Sequence, residues 1–133
     1  MNEKAQAWAE HELTEKTLRV TPGKRNYAEN LYKVSGWRAI TPVRAVQEAM
    51  KTWYSSVDKY NWTQPNPTGF SQMVWNKTSD IGVGVAKKDD VTVVAVTYWP
   101  RGNIILVSSN ANQTVDSGKL FRENVFPKVL DVV

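Results

Sequence analysis

Two adjoining segments in the second half of the chain constrain its fold more than any other feature. Ile81, Val83 and Val85 alternate with Gly82, Gly84 and Ala86, and the run from Val91 to Trp99 is rich in β-branched and aromatic residues. The first has the period of two that sets one face of a strand against a core. The second reads as a buried strand. Lys87-Lys88-Asp89-Asp90 supplies polar turn chemistry between them, so the pair is predicted as an antiparallel hairpin.

The front of the chain has helical periodicity instead. Asn2 to about Leu18 is predicted as a helix, with Asn2 as N-cap, Glu3 in the first turn and a buried stripe of Ala5, Trp8, Ala9 and Leu13. Pro22-Gly23 closes it, and a polar, irregular stretch is expected from Lys24 to Ile40. In the next helix Thr41 caps and Pro42 takes the first turn, and Val43, Val46, Met50, Trp53 and Val57 form the core stripe. Asn61 to Gly69 is a proline-containing loop, and Phe70 to Trp75 is a helical turn or a strand. Pro100 to Asn103 breaks the hairpin, Ile104 to Val107 reads as a short strand, and Asn110 to Gly118 reads as polar and mobile. Helices followed by strands predict an α+β fold, with helices packed around an antiparallel sheet. The 133 residues suit one domain, residues 1–133.

Composition removes several chemistries. The chain has no cysteine, which excludes disulfides, thiolate metal sites and cysteine nucleophiles and leans towards a reducing compartment. No run approaches a membrane span, no leader precedes the first helix, and Asn2 in place of glycine excludes myristoylation. Three glycosylation triplets, at Asn61, Asn76 and Asn112, keep secretion as the alternative. Gly82-Val83-Gly84 lacks the third glycine and the following helix of a dinucleotide fingerprint and reads as strand packing. The net charge of +4 is uneven: Lys16, Arg19, Lys24, Arg25, Lys33, Arg38, Arg44 and Lys51 face only Glu29 and Glu48 within that stretch. Such a face is either plain solvated surface or a site for phosphate on lipid or nucleic acid.

Five motifs in order resemble the CAP superfamily of cysteine-rich secretory, antigen 5 and pathogenesis-related proteins. Phe70-Ser71-Gln72-Met73-Val74-Trp75, Thr78 and Ile81-Gly82-Val83-Gly84 resemble its first signature, and Tyr98-Trp99-Pro100-Arg101-Gly102-Asn103 its second. Ala28-Glu29-Asn30-Leu31, Trp53-Tyr54 with Tyr60-Asn61, and Glu123-Asn124-Val125 with Pro127 complete the set. Without cysteine, the chain is most similar to the intracellular, Golgi-associated plant pathogenesis-related branch. The resemblance implies an α-β-α sandwich of one SCP domain. It also implies binding of lipid or protein partners and a location in the cytoplasm or peripherally on Golgi-type membranes.

The same resemblance exposes a departure. The family cleft carries two His and two Glu; Glu29 matches one Glu, but the other falls on Ser56, one His on Gly69 and the second His near Leu18 or Arg19. His11, the one histidine, stands off the motif. A remnant of Glu29, Ser56 and Gly69 holds no zinc and lacks an acid–base pair, and Ser71 has no visible base, so no catalytic residue, metal or cofactor is expected. The expected function is a non-enzymatic binding module for acidic membrane lipids or a protein partner, with Arg19, Lys24, Arg25, Arg38 and Arg44 as the lipid or phosphate surface. A weak hydrolase is the alternative. A single-stranded nucleic-acid binder ranks third, because Trp8, Trp53, Trp75 and Trp99 fall in core patterns and leave only Trp37 and Trp62 to stack on bases. Family members also carry a helix before the segment that opens here at Asn2. The chain is therefore expected to be N-terminally short and to cover the gap as a homodimer, with a fold-back of Ile104–Gly118 or a polar surface at that place as the alternatives.

Overall fold

The segment Val91–Trp99 is the central strand, β3, of a three-stranded antiparallel sheet, in a computed structural model that describes residues 1–13, 15, 26–36, 40–108, 112 and 114–128. On one side β3 pairs with β2, Asp80–Lys88, in a hairpin whose turn puts Asp89 at φ 54°. On the other it pairs with β1, Ala28–Ser35, in a register running from Ala28 opposite Tyr98 to Ser35 opposite Val91. Every residue from Thr92 to Tyr98 is buried, because both faces of the strand are covered. Val94, Val96 and Tyr98 pack against α2, Pro42–Ser55; Val93 and Ala95 pack against α1, Asn2–Glu12, on the opposite face. The result is the expected α-β-α sandwich. A third apolar cluster, of Tyr60, Phe70, Trp75, Phe121 and Val125, joins α3, Gly69–Met73, to α4, Lys119–Asn124.

Helix α1 approaches the sheet as closely as backbone permits. A Cβ on Gly82 would lie 2.3 Å from the carbonyl carbon of Met1, and one on Gly84 would lie 2.3 Å from the amide nitrogen of Gln6. That proximity lets α1 side chains reach the outer edge of β2. The Val83 N–H donates to Asn2 Oδ1 at 2.9 Å; the Val85 N–H donates to Gln6 Oε1 at 2.9 Å, and Gln6 Nε2 donates to the Val85 carbonyl at 2.8 Å. Asn2 is therefore the first helical residue, not the cap, and its amide serves the strand edge. The helix also ends earlier than expected, at Glu12. The Lys33 ammonium, reaching over from β1, donates to the carbonyls of Glu12 and Glu15 and supplies positive charge at that terminus. Trp8 is half-buried and stacks on His11 at 4.5 Å, while Glu12 is fully buried.

Other expectations also change. Helix α2 begins as predicted, with Thr41 Oγ1 accepting from the Arg44 N–H at 3.2 Å and Pro42 in the first turn. Its buried stripe, however, is Ala45, Ala49 and Trp53; Val43 is exposed, and Val46, Met50 and Val57 are half-buried. Two alanines let the helix axis come close to Val94 and Val96, which displaces the bulkier residues to the flanks. The stretch from Lys24 to Ile40 contains strand β1 where irregular chain was expected. Of Phe70 to Trp75, the part up to Met73 is helix, because Thr68 and Ser71 form a capping box at the start of α3, and Val74 and Trp75 follow it. Ile104 to Val107 forms no strand: Ile104 packs in the third cluster and the Leu106 N–H donates to the Ser117 carbonyl. Trp99, at the end of β3, is exposed.

Replacing Gly84 with alanine tests this packing. The added methyl meets helix backbone that has nowhere to move, so Gly84→Ala should cost about 1–3 kcal/mol. Urea unfolding measures it; an unchanged midpoint would mean that α1 does not dock on β2 in this way.

Candidate functional site

Three elements meet where the remnant residues were expected. Ser56 follows the last residue of α2, and its hydroxyl donates to the Trp53 carbonyl at 2.6 Å while accepting from the Phe70 N–H at 2.8 Å. It thus ties the end of α2 to the first turn of α3. Gly69 opens α3, and a Cβ there would lie 3.1 Å from Trp53 Cβ. Ser56 and Gly69 are therefore neighbours, joined by packing and by capping hydrogen bonds.

Glu29 is placed differently. It is buried, at 9% exposure, and its partner in the β1–β3 register is Thr97. Directly paired residues share a face of a sheet, and so do residues two apart along a strand. Leu31 and Ala95 pack in the α1 cluster, so Glu29 and Thr97 belong to the α1 face. Ser56 and Gly69 lie on the α2 side with Trp53. The residue of β1 that reaches them is the next one along. Asn30 Nδ2 lies 3.3 Å from the Gly69 carbonyl and 3.2 Å from the Tyr98 hydroxyl and donates to both. Trp53 Nε1 donates to the Leu31 carbonyl at 3.1 Å and fastens α2 to the same strand. Sequence reasoning singled out Glu29 and missed Asn30. The signal was its adjacency in one motif, since neighbours in a strand point to opposite faces.

Burial pushes the Tyr98 phenol up to about 12, against the opposing pull of the Asn30 hydrogen bond. The Tyr60 phenol is pushed up as well, by burial, with the Arg122 charge acting the other way. Ser71 is fully buried, donating within reach of the Thr68 carbonyl at 3.0 Å and Asn103 Oδ1 at 2.6 Å and accepting from the Thr68 N–H at 2.9 Å. A hydroxyl so enclosed holds a loop and has no path to a substrate. His11 lies on α1, against Trp8 and beside the carboxylates of Glu12 at 3.7 Å and Glu15 at 3.8 Å.

A zinc ion needs three or four N, S or O donors around one point. Among the described residues no group of three His, Cys, Asp or Glu side chains could hold a metal. At the remnant itself, Ser56 is committed to capping and Gly69 has no donor, so the residues present do not fit the ion. Of the expected basic surface, Arg44 is exposed on α2 and bonds Glu48 at 3.1 Å. Arg19, Lys24, Arg25 and Arg38 lie outside the described residues, as do Trp37 and Leu18.

The sequence pattern of the CAP family, described as the cysteine-rich secretory protein family, matches residues 1–99. Golgi-associated plant pathogenesis-related protein 1 of Homo sapiens is 31% identical over 134 residues, spanning 96% of this chain and 76% of that protein. The structure of BmVAL-1 matches with a TM-score of 0.58 at 25% identity, over 76% of this chain and 58% of that one. The crystal structure of NaASP2 with Zn2+ matches with a TM-score of 0.58 at 17% identity, over 76% of this chain and 59% of that one, and speaks for the fold alone. The chain thus spans less than two thirds of the length of either solved protein.

Two measurements test the site. Calorimetric titration with zinc should give no one-to-one, chelator-reversible binding; a tight site that disappears in Glu29→Ala would overturn the donor argument. The second concerns Tyr98. Below pH 10.0 folded and unfolded chains both keep the phenol proton, whereas between 10.0 and about 12 only the folded chain does. Stability should therefore fall as pH rises through that window. Urea unfolding across it should show a shallower fall in Tyr98→Phe, with Tyr60, also raised, contributing to what is left; an identical pH dependence would refute the assignment.

Proposed function

The chain belongs to the CAP, or cysteine-rich secretory protein, family, and from that premise we propose that it is a non-enzymatic binding module for acidic lipid surfaces. The observation that carries this reading is the loss of chemistry at the remnant: Ser56 is a capping residue, Gly69 packs on Trp53, and Glu29 stands on the other face of the sheet. With those positions given over to packing, binding through the surface is the remaining use of the domain. A hydrolase has little to work with, since Ser71 is enclosed and held by Thr68 and Asn103.

Charge supports lipid as the ligand. In the basic stretch from Lys16 to Lys51 eight cations meet two acids, and the Arg44–Glu48 pair takes one of each out of the balance. Lys33 serves the end of α1, and the arginines and remaining lysines of that stretch are the proposed phosphate contacts. No helix among the described residues is long and apolar enough to cross a membrane, so attachment would be peripheral. The relative named as Golgi-associated makes Golgi-type membranes the proposed site of action.

Each lysine or arginine near an anionic leaflet contributes about 1 kcal/mol, and salt screens it. Sedimentation should therefore recover more protein with phosphatidylserine or phosphatidylinositol vesicles than with phosphatidylcholine alone, with affinity declining as salt rises. Reversing Arg19, Lys24 and Arg25 together should flatten that decline. Equal recovery with neutral and anionic vesicles, indifferent to salt, would refute the proposal.

A further inference from the structure

From Gly102 to Val115 the chain carries no charged residue, although 23% of the whole sequence is charged. Ile104 turns inward to the third cluster. Its neighbours do not: Ile105 is 50% exposed and Val107 is 82% exposed. Exposure alternates along the segment, with Ile104 and Leu106 half-buried and Ile105 and Val107 exposed. The Leu106 N–H donates to the Ser117 carbonyl at 3.3 Å and holds the outgoing and returning arms side by side. Val115, on the returning arm, is 38% exposed, and Phe126, next to the buried Val125, is 54% exposed. Apolar side chains therefore stand in water around one end of the fold. Neither the sandwich nor the remnant accounts for them.

Cations frame this end. Arg101, Lys119, Arg122 and Lys128 are all exposed, and between Arg101 and Lys128 only Asp116 and Glu123 oppose them. Asp116 is paired with Arg122 at 2.6 Å, a bond that lowers its carboxyl below the usual range and sets one cation against one acid, leaving Arg101, Lys119 and Lys128 against Glu123. Arg122 also donates to the Thr63 carbonyl at 3.2 Å and anchors the base of the segment to the neighbouring loop. An uncharged segment with exposed aliphatic side chains, flanked in the chain by cations, matches the layering of an anionic membrane, where phosphates lie outside the acyl boundary. A soluble protein surface would match the aliphatic side chains but gives no reason for the cations that flank them.

We propose that Ile105, Val107 and Val115 form an apolar wedge that inserts at the headgroup–acyl boundary of an anionic membrane while the cations at its base face the phosphates. The wedge rests on the lipid-binding reading above and adds to it a component that salt does not screen. Electrostatic contacts set how steeply affinity falls with salt, whereas the wedge sets affinity at every salt concentration. The two are separable in one data set.

The absence of cysteine makes the test clean. Val107→Cys carries a single environment-sensitive fluorophore, and Lys88→Cys, on the exposed hairpin tip, carries the control. With phosphatidylserine–phosphatidylcholine vesicles the Val107 label should shift to the blue and be quenched by a lipid-borne nitroxide, and the Lys88 label should do neither. In parallel, the Ile105→Ser/Val107→Ser double variant should bind the same vesicles about tenfold more weakly at every salt concentration, with the salt slope unchanged. A silent Val107 label together with full affinity in the double variant overturns the wedge and leaves the lipid-binding reading standing. No vesicle binding by the unaltered chain ends both. A blue shift that grows with protein concentration in the absence of lipid assigns the patch to a second copy, and an equal shift on neutral vesicles removes the role of the cations; either result overturns the proposal.

Discussion

No side chain separates helix α1 from strand β2 at Gly82 and Gly84, and most of the architecture follows from that contact. It brings the helix near enough for Ala5 and Ala9 to bury fully against Val93 and Ala95. It also puts Asn2 and Gln6 beside the strand edge. Four residues of helix rise about 6 Å and two residues of strand about 6.8 Å, so side chains four apart on α1 can serve backbone groups two apart on β2. An edge strand with unpaired N–H and C=O groups is an invitation to pair with another chain. Here a helix answers part of that edge with two amides. At its other end the same helix is held by Lys33 from the opposite edge strand, so α1 spans the sheet and is fastened at both margins.

The second face is built on polar fastening as much as on apolar burial. Ala45 and Ala49 let α2 settle on Val94 and Val96, and Trp53 fills the space beyond them while its indole N–H satisfies the Leu31 carbonyl. Asn30, Tyr98, Gly69 and Ser56 then link strand, helix and loop through a short series of hydrogen bonds. Unmade, such bonds cost more in a buried setting than they contribute when made. That asymmetry makes the region specific in its geometry and poor in reactivity. Groups that could have titrated or ligated are replaced by groups that hold the backbone.

The third cluster marks the boundary between this closed sandwich and a more open end. Trp75 packs edge against face on Phe121 at 5.1 Å, Tyr60 lies tilted against Phe121 at 6.4 Å, and Ile104 joins them. Beyond Ile104, Leu106 stays half-buried while Ile105 and Val107 stand exposed. Apolar surface is thus left exposed beside the third cluster, as it is at Val43, Tyr54, Trp62, Ile81 and Trp99 elsewhere on the fold.

What the sequence determined by itself were the features decided within a few residues. The β2–β3 hairpin is legible from its alternation and its turn. The Thr41 cap bonds an amide three residues on, and the α-β-α architecture follows from the order of the motifs. Strand β1 was not legible, because its polar residues answer to distant partners: Asn30 to Gly69, 39 residues away, and Lys33 to Glu12, 21 residues away. The end of α1, the shift of the α2 stripe onto its alanines and the exposure of Ile105 and Val107 were likewise decided by what packs nearby in space. Nor could adjacency in sequence tell Glu29 from Asn30. One residue along a strand reverses the face, and only the register against β3 says which of the two meets Gly69 and Ser56.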